Sequence, residues 1–213
     1  MFDYAAQPKI ELTTCPVCYA PTKWPRRVLD RHNFLVSVTG CECGLTYLTE
    51  IMTREGYAKL YGGDPSPYRQ LVWSVVHLKA GTGYNIPRDK EDLLAGQVAY
   101  GRDLLNWVPL WKRLGNVTRV LDAGGSTGVV AQTVTQPEQD APQPAITVLD
   151  PSPSELSACP SSVTVIQGFL EDPIPTQKLF DLVLFCETID HLVDPVAALR
   201  HLRDVTAPSG VMY

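Results

Sequence analysis

The apolar positions along this chain change rhythm twice. Up to residue 50 they come in short runs: Phe34, Leu35, Val36 and Val38 crowd into the stretch from Arg27 to Gly40, and Gly44-Leu-Thr-Tyr-Leu48 follows Cys43. Such runs, rich in β-branched and aromatic residues, predict short strands arranged as hairpin arms. The unit they form has too few apolar residues to close a core of its own. From 51 to 115 the spacing turns helical. Thr53 is placed to cap a short helix running through Leu60, with Glu55 in its first turn. The cluster Gly62, Gly63, Asp64, Pro65 and Pro67 then predicts a loop. Arg69 to Lys79 reads as a short helix weakened by its valines, and Gly81, Gly83 and Pro87 break the chain again. Glu91 to Leu114 returns to helical spacing, with Leu93, Leu94, Val98, Leu104 and Leu105 on one face and an interruption at Pro109.

From 116 onward short apolar runs alternate with helical segments. Strands are predicted over Val117 to Leu121, Ile146 to Leu149, Val163 to Gln167 and Leu179 to Cys186. Helices are predicted over Val129 to Thr135 and over Pro195 to Val205, the latter with Val196, Leu199 and Leu202 on one face. Gly210 to Tyr213 begins a fifth strand. This alternation indicates βαβ units and therefore an α/β, doubly wound, mostly parallel sheet. The chain divides into a β unit at 1–50, a helical linker or lid at 51–115 and the α/β core at 116–213.

Composition narrows the classes. Hydrophobic residues make up 45% and charged residues 19%, which is an ordinary globular balance rather than a disordered one. The net charge of −5, with no long basic run, argues against nucleic acid or an acidic membrane surface as a main partner. Met1 to Leu12 lacks the basic and apolar regions of a secretion signal, and no stretch approaches the ~18 apolar residues of a membrane span. The expected location is therefore cytoplasmic. In that reducing compartment the 6 cysteines do not read as a disulfide framework.

Four of them fall into two clusters. Cys15-Pro-Val-Cys18 is a C-x₂-C knuckle, and Cys41-Glu-Cys43 is a C-x-C pair with a tighter bend. A turn between two cysteines aims both thiolates at one point, and two such turns supply the tetrahedron that structural zinc requires. The metal would replace the missing core of so small a unit. A site with four sulfur ligands leaves no open position for catalysis. His32 is the alternative ligand, although a lone histidine there reads more simply as a surface residue; free thiols and a redox pair are the competing readings of the cysteines. Cys159 and Cys186 are not spaced as ligands and read as small hydrophobic residues or idle thiols.

Val120-Leu-Asp-Ala-Gly-Gly-Ser-Thr-Gly128 follows a predicted strand and opens a predicted helix. Glycines there let the backbone approach a ligand closely, and the helix start offers N–H groups to a negative group. A nucleotide-like ligand at this place lies across the carboxyl ends of the strands. The dinucleotide fingerprint does not fit, because Ser126 interrupts it.

Taken together the motifs resemble the class I S-adenosylmethionine-dependent methyltransferases that carry a cysteine-rich, zinc-ribbon-like leader. The resemblance rests on the leader with Cys43-Gly-Leu-Thr-Tyr-Leu, the Tyr61-Gly-Gly region and the Val-Leu-Asp-Ala-Gly loop. It continues through Leu149-Asp-Pro-Ser-Pro, Gly168-Phe-Leu-Glu-Asp, Phe180-Asp-Leu-Val-Leu-Phe, Asp190-His-Leu-Val-Asp-Pro and Ala207-Pro-Ser-Gly. It implies a Rossmann-like core binding S-adenosylmethionine. Asp122, Gly124, Gly125, Ser126 and Gly128 would hold the aminocarboxypropyl end. Asp150, with Pro151 beside it, would accept hydrogen bonds from both ribose hydroxyls. Phe169, Leu170 and Glu171 would border the adenine, and Cys186 and Glu187 the methyl-donor end. The resemblance departs at Ser126, where the family usually has glycine, and at Phe169, where an acidic residue commonly faces the adenine amine; Glu171 or backbone groups would take over that contact.

Methyl transfer is an in-line displacement that often needs the acceptor deprotonated. His191, past the fourth strand with Glu187 and Asp190 nearby, is the candidate general base; bracing of the following helix is its alternative role. Tyr68, Trp73, Tyr84, Trp107 and Trp111 are candidates for a lid or for plain core. The expected substrate is a small-molecule acceptor. The family core has seven strands, so the sequence is expected to lack the last two, leaving strand five as an edge for a homo-oligomer or a partner to cover. Two rivals share the fold. One is a non-catalytic zinc-ribbon adaptor on a degenerate scaffold, which Ser126, Phe169 and the missing strands favour. The other is a different nucleotide enzyme such as a dehydrogenase, which the broken fingerprint disfavours.

Overall fold

A computed structural model describes residues 2–22, 27–31, 34–63, 66–70, 90–107, 117–136 and 142–213. The expected hairpin residue His32, the expected loop residues Asp64 and Pro65, the helix expected from Arg69 beyond residue 70, the breaks at Gly81, Gly83, Pro87 and Pro109, and Trp73, Tyr84 and Trp111 lie outside these residues, as does the side chain of Trp107.

The N-terminal part forms two small sheets. β1 (Lys9–Glu11) pairs antiparallel with β5 (Glu50–Met52). Between them β2 (Arg27–Arg31), β3 (Phe34–Gly40) and β4 (Thr46–Leu48) make an antiparallel three-stranded ribbon, as the short apolar runs predict. The β1–β5 pair has no signal in the sequence beyond three residues each, and it carries the unit's pairing past residue 50. α1 (Arg54–Tyr61) follows at once, with the Thr53 hydroxyl accepting from Gly56 N at 3.4 Å as its cap. Its buried residues Gly56, Tyr57 and Leu60 lie one turn apart and pack on Met52, with Tyr61, Tyr68 and Phe169 around them.

α2 (Lys90–Trp107) carries the long helical pattern. Leu104 is buried and Leu93, Leu94 and Val98 are half-buried, but Leu105 is exposed. The face turned inward centres instead on Gly101, where a Cβ would stand 2.8 Å from the Thr133 Cβ. That glycine is what lets α2 cross closely over α3 (Val129–Val134).

The remaining elements are β6 (Arg119–Ala123), β7 (Ala145–Asp150), α4 (Pro153–Leu156), β8 (Thr164–Gln167), β9 (Phe180–Leu184), α5 (Pro195–Val205) and β10 (Thr206–Met212). The strands form one parallel sheet in the order β10-β9-β6-β7-β8. Alternate residues feed two cores. Val120, Val148, Leu182 and Leu184 pack with Ala131 and Val134 of α3 on one face; Leu121, Leu149 and Val183 pack with Ala198 and Leu202 of α5 on the other. Covered on both faces, β6 and β9 carry consecutive apolar residues, Val120-Leu121 and Leu182-Val183-Leu184. The chain leaves β6 in one lateral direction and returns to β9 on the other side, so a crevice opens at their carboxyl ends. β10 starts four residues before the expected Gly210. Its register shifts between Thr206 and Val211, because Pro208 has no N–H to pair and the segment bulges past it. No helix among the described residues is long and apolar enough to cross a membrane.

Candidate functional site

A cavity of about 460 Å³ opens at that crevice. Ten of the eleven expected cofactor residues line it: Asp122, Gly124, Gly125, Ser126, Asp150, Pro151, Phe169, Leu170, Glu171 and Cys186. His191 and Glu187 line it too. Gly128 does not. It takes φ +72°, and a Cβ there would come 2.8 Å from Val148 Cγ2, so its glycine serves to seat α3 on the sheet.

The loop after β6 is shaped by what its glycines avoid. At Gly124, φ +75°, a Cβ would stand 2.5 Å from the Thr188 hydroxyl; at Gly125 it would stand 2.4 Å from Asp122 Cγ. The loop therefore closes onto those two side chains, which a residue larger than glycine would prevent. Asp122 is buried beneath it and accepts from Ala131 N at 3.3 Å. Burial, reinforced by the Asp150 charge, pushes its carboxyl up to about 7.

Asp150 ends β7. Its Oδ1 accepts from Ser152 N at 2.8 Å and its Oδ2 from Ser126 N at 3.0 Å. Burial pushes this carboxyl up to about 6, against the pull of those two N–H groups. Each oxygen keeps a second lone pair for a ligand donor. Glu171 is similarly split. Oε1 accepts from Val193 N at 2.7 Å, while Oε2 is buried without a partner among the described residues. Glu171 itself lines the cavity, with this oxygen buried behind the wall.

Ser126 stands where the family resemblance implies glycine, and the backbone behaves as if it were one, at φ +52°. Its hydroxyl donates to Glu155 Oε2 at 2.5 Å and accepts from Arg69 Nη2 at 3.4 Å and Gln97 Nε2 at 3.3 Å. Arg69 in turn forks onto Glu155, with Nε–Oε1 at 2.6 Å. Sequence reasoning missed Arg69, Gln97 and Glu155. Glu155 had a signal, since Ser152-Pro-Ser-Glu155 is a capping-box pattern and Ser152 does cap α4; the other two come from far along the chain.

At the other end of the cavity Glu187 sits at φ +51°, a second non-glycine residue in the left-handed region of this wall. Cys186 is half-buried, and desolvation pushes its thiol up to about 12, so it stays a neutral, unreactive S–H. Cys159 packs beneath the loop, again pushed up by burial, to about 11. His191, in a short 3₁₀ turn at Ile189–His191, hydrogen-bonds Tyr61 through Nδ1 and has Asp190 Oδ2 at 3.6 Å from Nε2. Tyr61, Tyr68 and Tyr57 were not singled out as a group by the sequence, yet all three line this end.

The four expected metal ligands also converge, away from the cavity lining. The Sγ atoms of Cys15, Cys18, Cys41 and Cys43 all lie within 4.8 Å of one another, with Cys15–Cys43 at 3.7 Å and Cys18–Cys41 at 3.4 Å. Zinc–sulfur bonds of ~2.3 Å in a tetrahedron put sulfurs ~3.8 Å apart, so the donor set fits zinc and is too wide for disulfides. Each knuckle closes on a left-handed residue: Tyr19 at φ +61° donates its N–H to Cys15 O at 3.0 Å, and Gly44 at φ +92° to Cys41 O at 2.9 Å. The C-x-C pair thus makes its turn without distorting the cluster.

The family described as "Methyltransferase domain" matches residues 97–213, more than half of the chain. No curated protein matches the sequence. Among solved structures the chain is similar to the S-adenosylmethionine-bound amino pentose methyltransferase of Micromonospora echinaspora from calicheamicin biosynthesis, with 18% identity, TM-score 0.46 and coverage of 66% of this chain and 54% of that one. DesVI of Streptomyces venezuelae gives 19%, 0.43, 66% and 54%. The plantazolicin methyltransferase BpumL gives 13%, 0.45, 73% and 55%. The chain spans about half the length of these proteins.

Proposed function

The chain belongs to the methyltransferase-domain family, and from that premise we propose that its cavity binds S-adenosylmethionine and serves methyl transfer to a small-molecule acceptor. One observation carries the reading: the glycine loop, Asp150 and Glu171 line a single cavity at the carboxyl ends of β6, β7 and β9. These groups fit the cofactor's polar ends. When bound, it supplies a methyl group activated by a sulfonium. Asp150, through its remaining lone pairs, accepts from the ribose hydroxyls. The loop from Asp122 to Ser126 holds the aminocarboxypropyl end, with Gly128 supporting it from behind. Phe169 and Leu170 border the adenine, with Pro151 beside the ribose, and Glu171 or backbone groups accept from the ring amine that an acidic residue at 169 would otherwise meet. Glu187, Cys186 and His191 line the methyl-donor end, where His191 serves deprotonation. Residues 116–213 act as the cofactor-binding core, 51–115 as its cover and the N-terminal ribbon as a separate unit.

The ribbon's four thiolates we assign to structural zinc, on the strength of the convergent sulfurs. Titration of the zinc-replete chain with S-adenosylhomocysteine by calorimetry tests the cofactor reading. Saturable binding that disappears in Asp150→Ala supports it; a folded chain that binds nothing ends it.

A further inference from the structure

Tyr61 closes α1 and reaches across to the turn after β9, where its hydroxyl meets His191 Nδ1. Two more rings fix the pair. Tyr57 stacks on Tyr61 with centroids 6.1 Å apart, and Tyr68 stands edge-on to the imidazole at 5.6 Å. Tyr61 is half-buried on the cavity wall, and desolvation, with the Asp150 and Asp190 carboxylates behind it, holds its phenol well above its usual range. It is therefore a neutral O–H with His191 Nδ1 in hydrogen-bond reach, and with the phenol as donor that ring nitrogen is the acceptor. A neutral imidazole that accepts at Nδ1 carries its own proton on Nε2. That nitrogen is the one turned to Asp190 Oδ2, 3.6 Å away. In this tautomer neither ring nitrogen offers a lone pair to an acceptor molecule.

Resting on the methyl-transfer reading above, we propose that Tyr61, not His191, takes the acceptor's proton, and that the two residues act as one relay. The acceptor's X–H bond breaks and its proton goes to the Tyr61 oxygen, while the Tyr61 O–H proton passes to His191 Nδ1. The X–H electron pair stays on the acceptor as the nucleophile, and the imidazolium left behind sits beside the Asp190 carboxylate until it releases a proton to water. The phenol is never ionised, which suits an oxygen whose surroundings oppose tyrosinate. The relay serves an acceptor that must shed a proton to react.

The direction of the Tyr61–His191 bond decides the matter, and it can be read without an acceptor. Long-range ¹H–¹⁵N spectra of the full ¹⁵N-labelled chain, with the His191 signals assigned by their loss in His191→Gln, report which ring nitrogen carries the proton. The relay requires a bare Nδ1 and a protonated Nε2 in the neutral ring, and a shift of the proton toward Nδ1 in Tyr61→Phe. A wild-type ring protonated on Nδ1 overturns it, since Nε2 would then be the open base; so does a Tyr61→Phe tautomer identical to wild type. The same wild-type sample titrated with S-adenosylhomocysteine tests the cofactor reading separately, so a protein that fails to bind it but shows the required tautomer faults that reading rather than the relay.

Discussion

Ser126 Oγ donates to Glu155 Oε2 at 2.5 Å, and this bond ties the loop after β6 to α4 at the position where a glycine was expected. The substitution that made the loop look degenerate is thus part of a polar node with Arg69 and Gln97 on the cavity wall. It weakens the case for a decayed scaffold.

The node makes a prediction about two replacements. Ser126→Ala keeps the left-handed backbone and removes a charge-assisted bond, at a cost of about 2 kcal/mol. Ser126→Gly loses the same bond but relieves the left-handed strain of about 1 kcal/mol. Glycine is therefore expected to destabilise less than alanine, and urea unfolding of both variants measures it. Equal losses would mean that the backbone strain at 126 is not real.

Gly125→Ala is expected to be worse than either. Its Cβ would stand 2.4 Å from Asp122 Cγ and 2.7 Å from Asp122 Oδ2, on a carboxyl that is itself buried. Neither side has room to give, so a loss of about 3 kcal/mol is expected, together with S-adenosylhomocysteine binding weakened at least ~10-fold by the displaced loop. Thermal unfolding and calorimetry on the same variant check the two halves. Unchanged values would show that the loop can open without consequence.

The buried carboxyls give a pH dependence of definite sign. Asp122 is raised to about 7 and Asp150 to about 6, from 3.8. Their share of ligand-free stability is fully present below about pH 4 and is lost as pH rises through 6 to 7, because the unfolded chain releases protons that the fold retains. Urea midpoints at pH 5 and pH 8 should show the decline, and Asp122→Asn should flatten most of it. Cofactor affinity runs the other way: an ionised Asp150 accepts two ribose hydroxyls, so S-adenosylhomocysteine binding should strengthen as pH rises through about 6. A binding curve that is flat with pH would remove Asp150 from the ribose.

How much of this was readable beforehand follows from where the information lies. β6, β7 and β9 announce themselves because strands covered on both faces carry consecutive apolar residues, Val120-Leu121, Val148-Leu149 and Leu182-Val183-Leu184, and the Asp122–Gly128 loop because its glycines answer contacts within a few residues or across one strand. Thr53 was legible as a cap for the same local reason. The β1–β5 pair was not, since three-residue strands carry no periodicity and are held by pairing across 40 residues of chain. Arg69 and Gln97 were invisible because their meeting with Ser126 spans 57 and 29 residues. Tyr61 stood in a recognised motif, but its partner lies 130 residues away, so a sequence gives no hint that a phenol stands in front of the histidine. Leu105 shows the converse error: helical spacing placed it inside, while the close crossing at Gly101 turned the helix and left it in solvent.

Zinc removal should act on the ribbon and spare the sheet. The four thiolates draw together β3, β4 and the 15–18 knuckle, whereas the β6–β10 sheet has two hydrophobic cores of its own. Cys18→Ser is expected to lose bound metal and the amide-exchange protection of β2 to β4, with protection of β6 and β9 largely retained. Metal analysis and hydrogen exchange on the variant measure both. Zinc content near zero in the wild type, or exchange that collapses everywhere at once, would overturn the division.

The last prediction concerns a residue that nothing in the chemistry requires. Tyr19 closes the first knuckle at φ +61°, where its N–H must reach Cys15 O, and its ring is 65% exposed. The second knuckle reaches the same kind of turn with Gly44. A non-glycine residue in the left-handed region costs about 1–2 kcal/mol, and an exposed ring returns little of it through packing. Tyr19→Gly should therefore tighten zinc binding by up to ~10-fold, since metal binding and folding of so small a unit are one equilibrium. Competition with a calibrated chelator reads the affinity. A weaker site in Tyr19→Gly would mean that the tyrosine ring, exposed as it is, holds the knuckle in place.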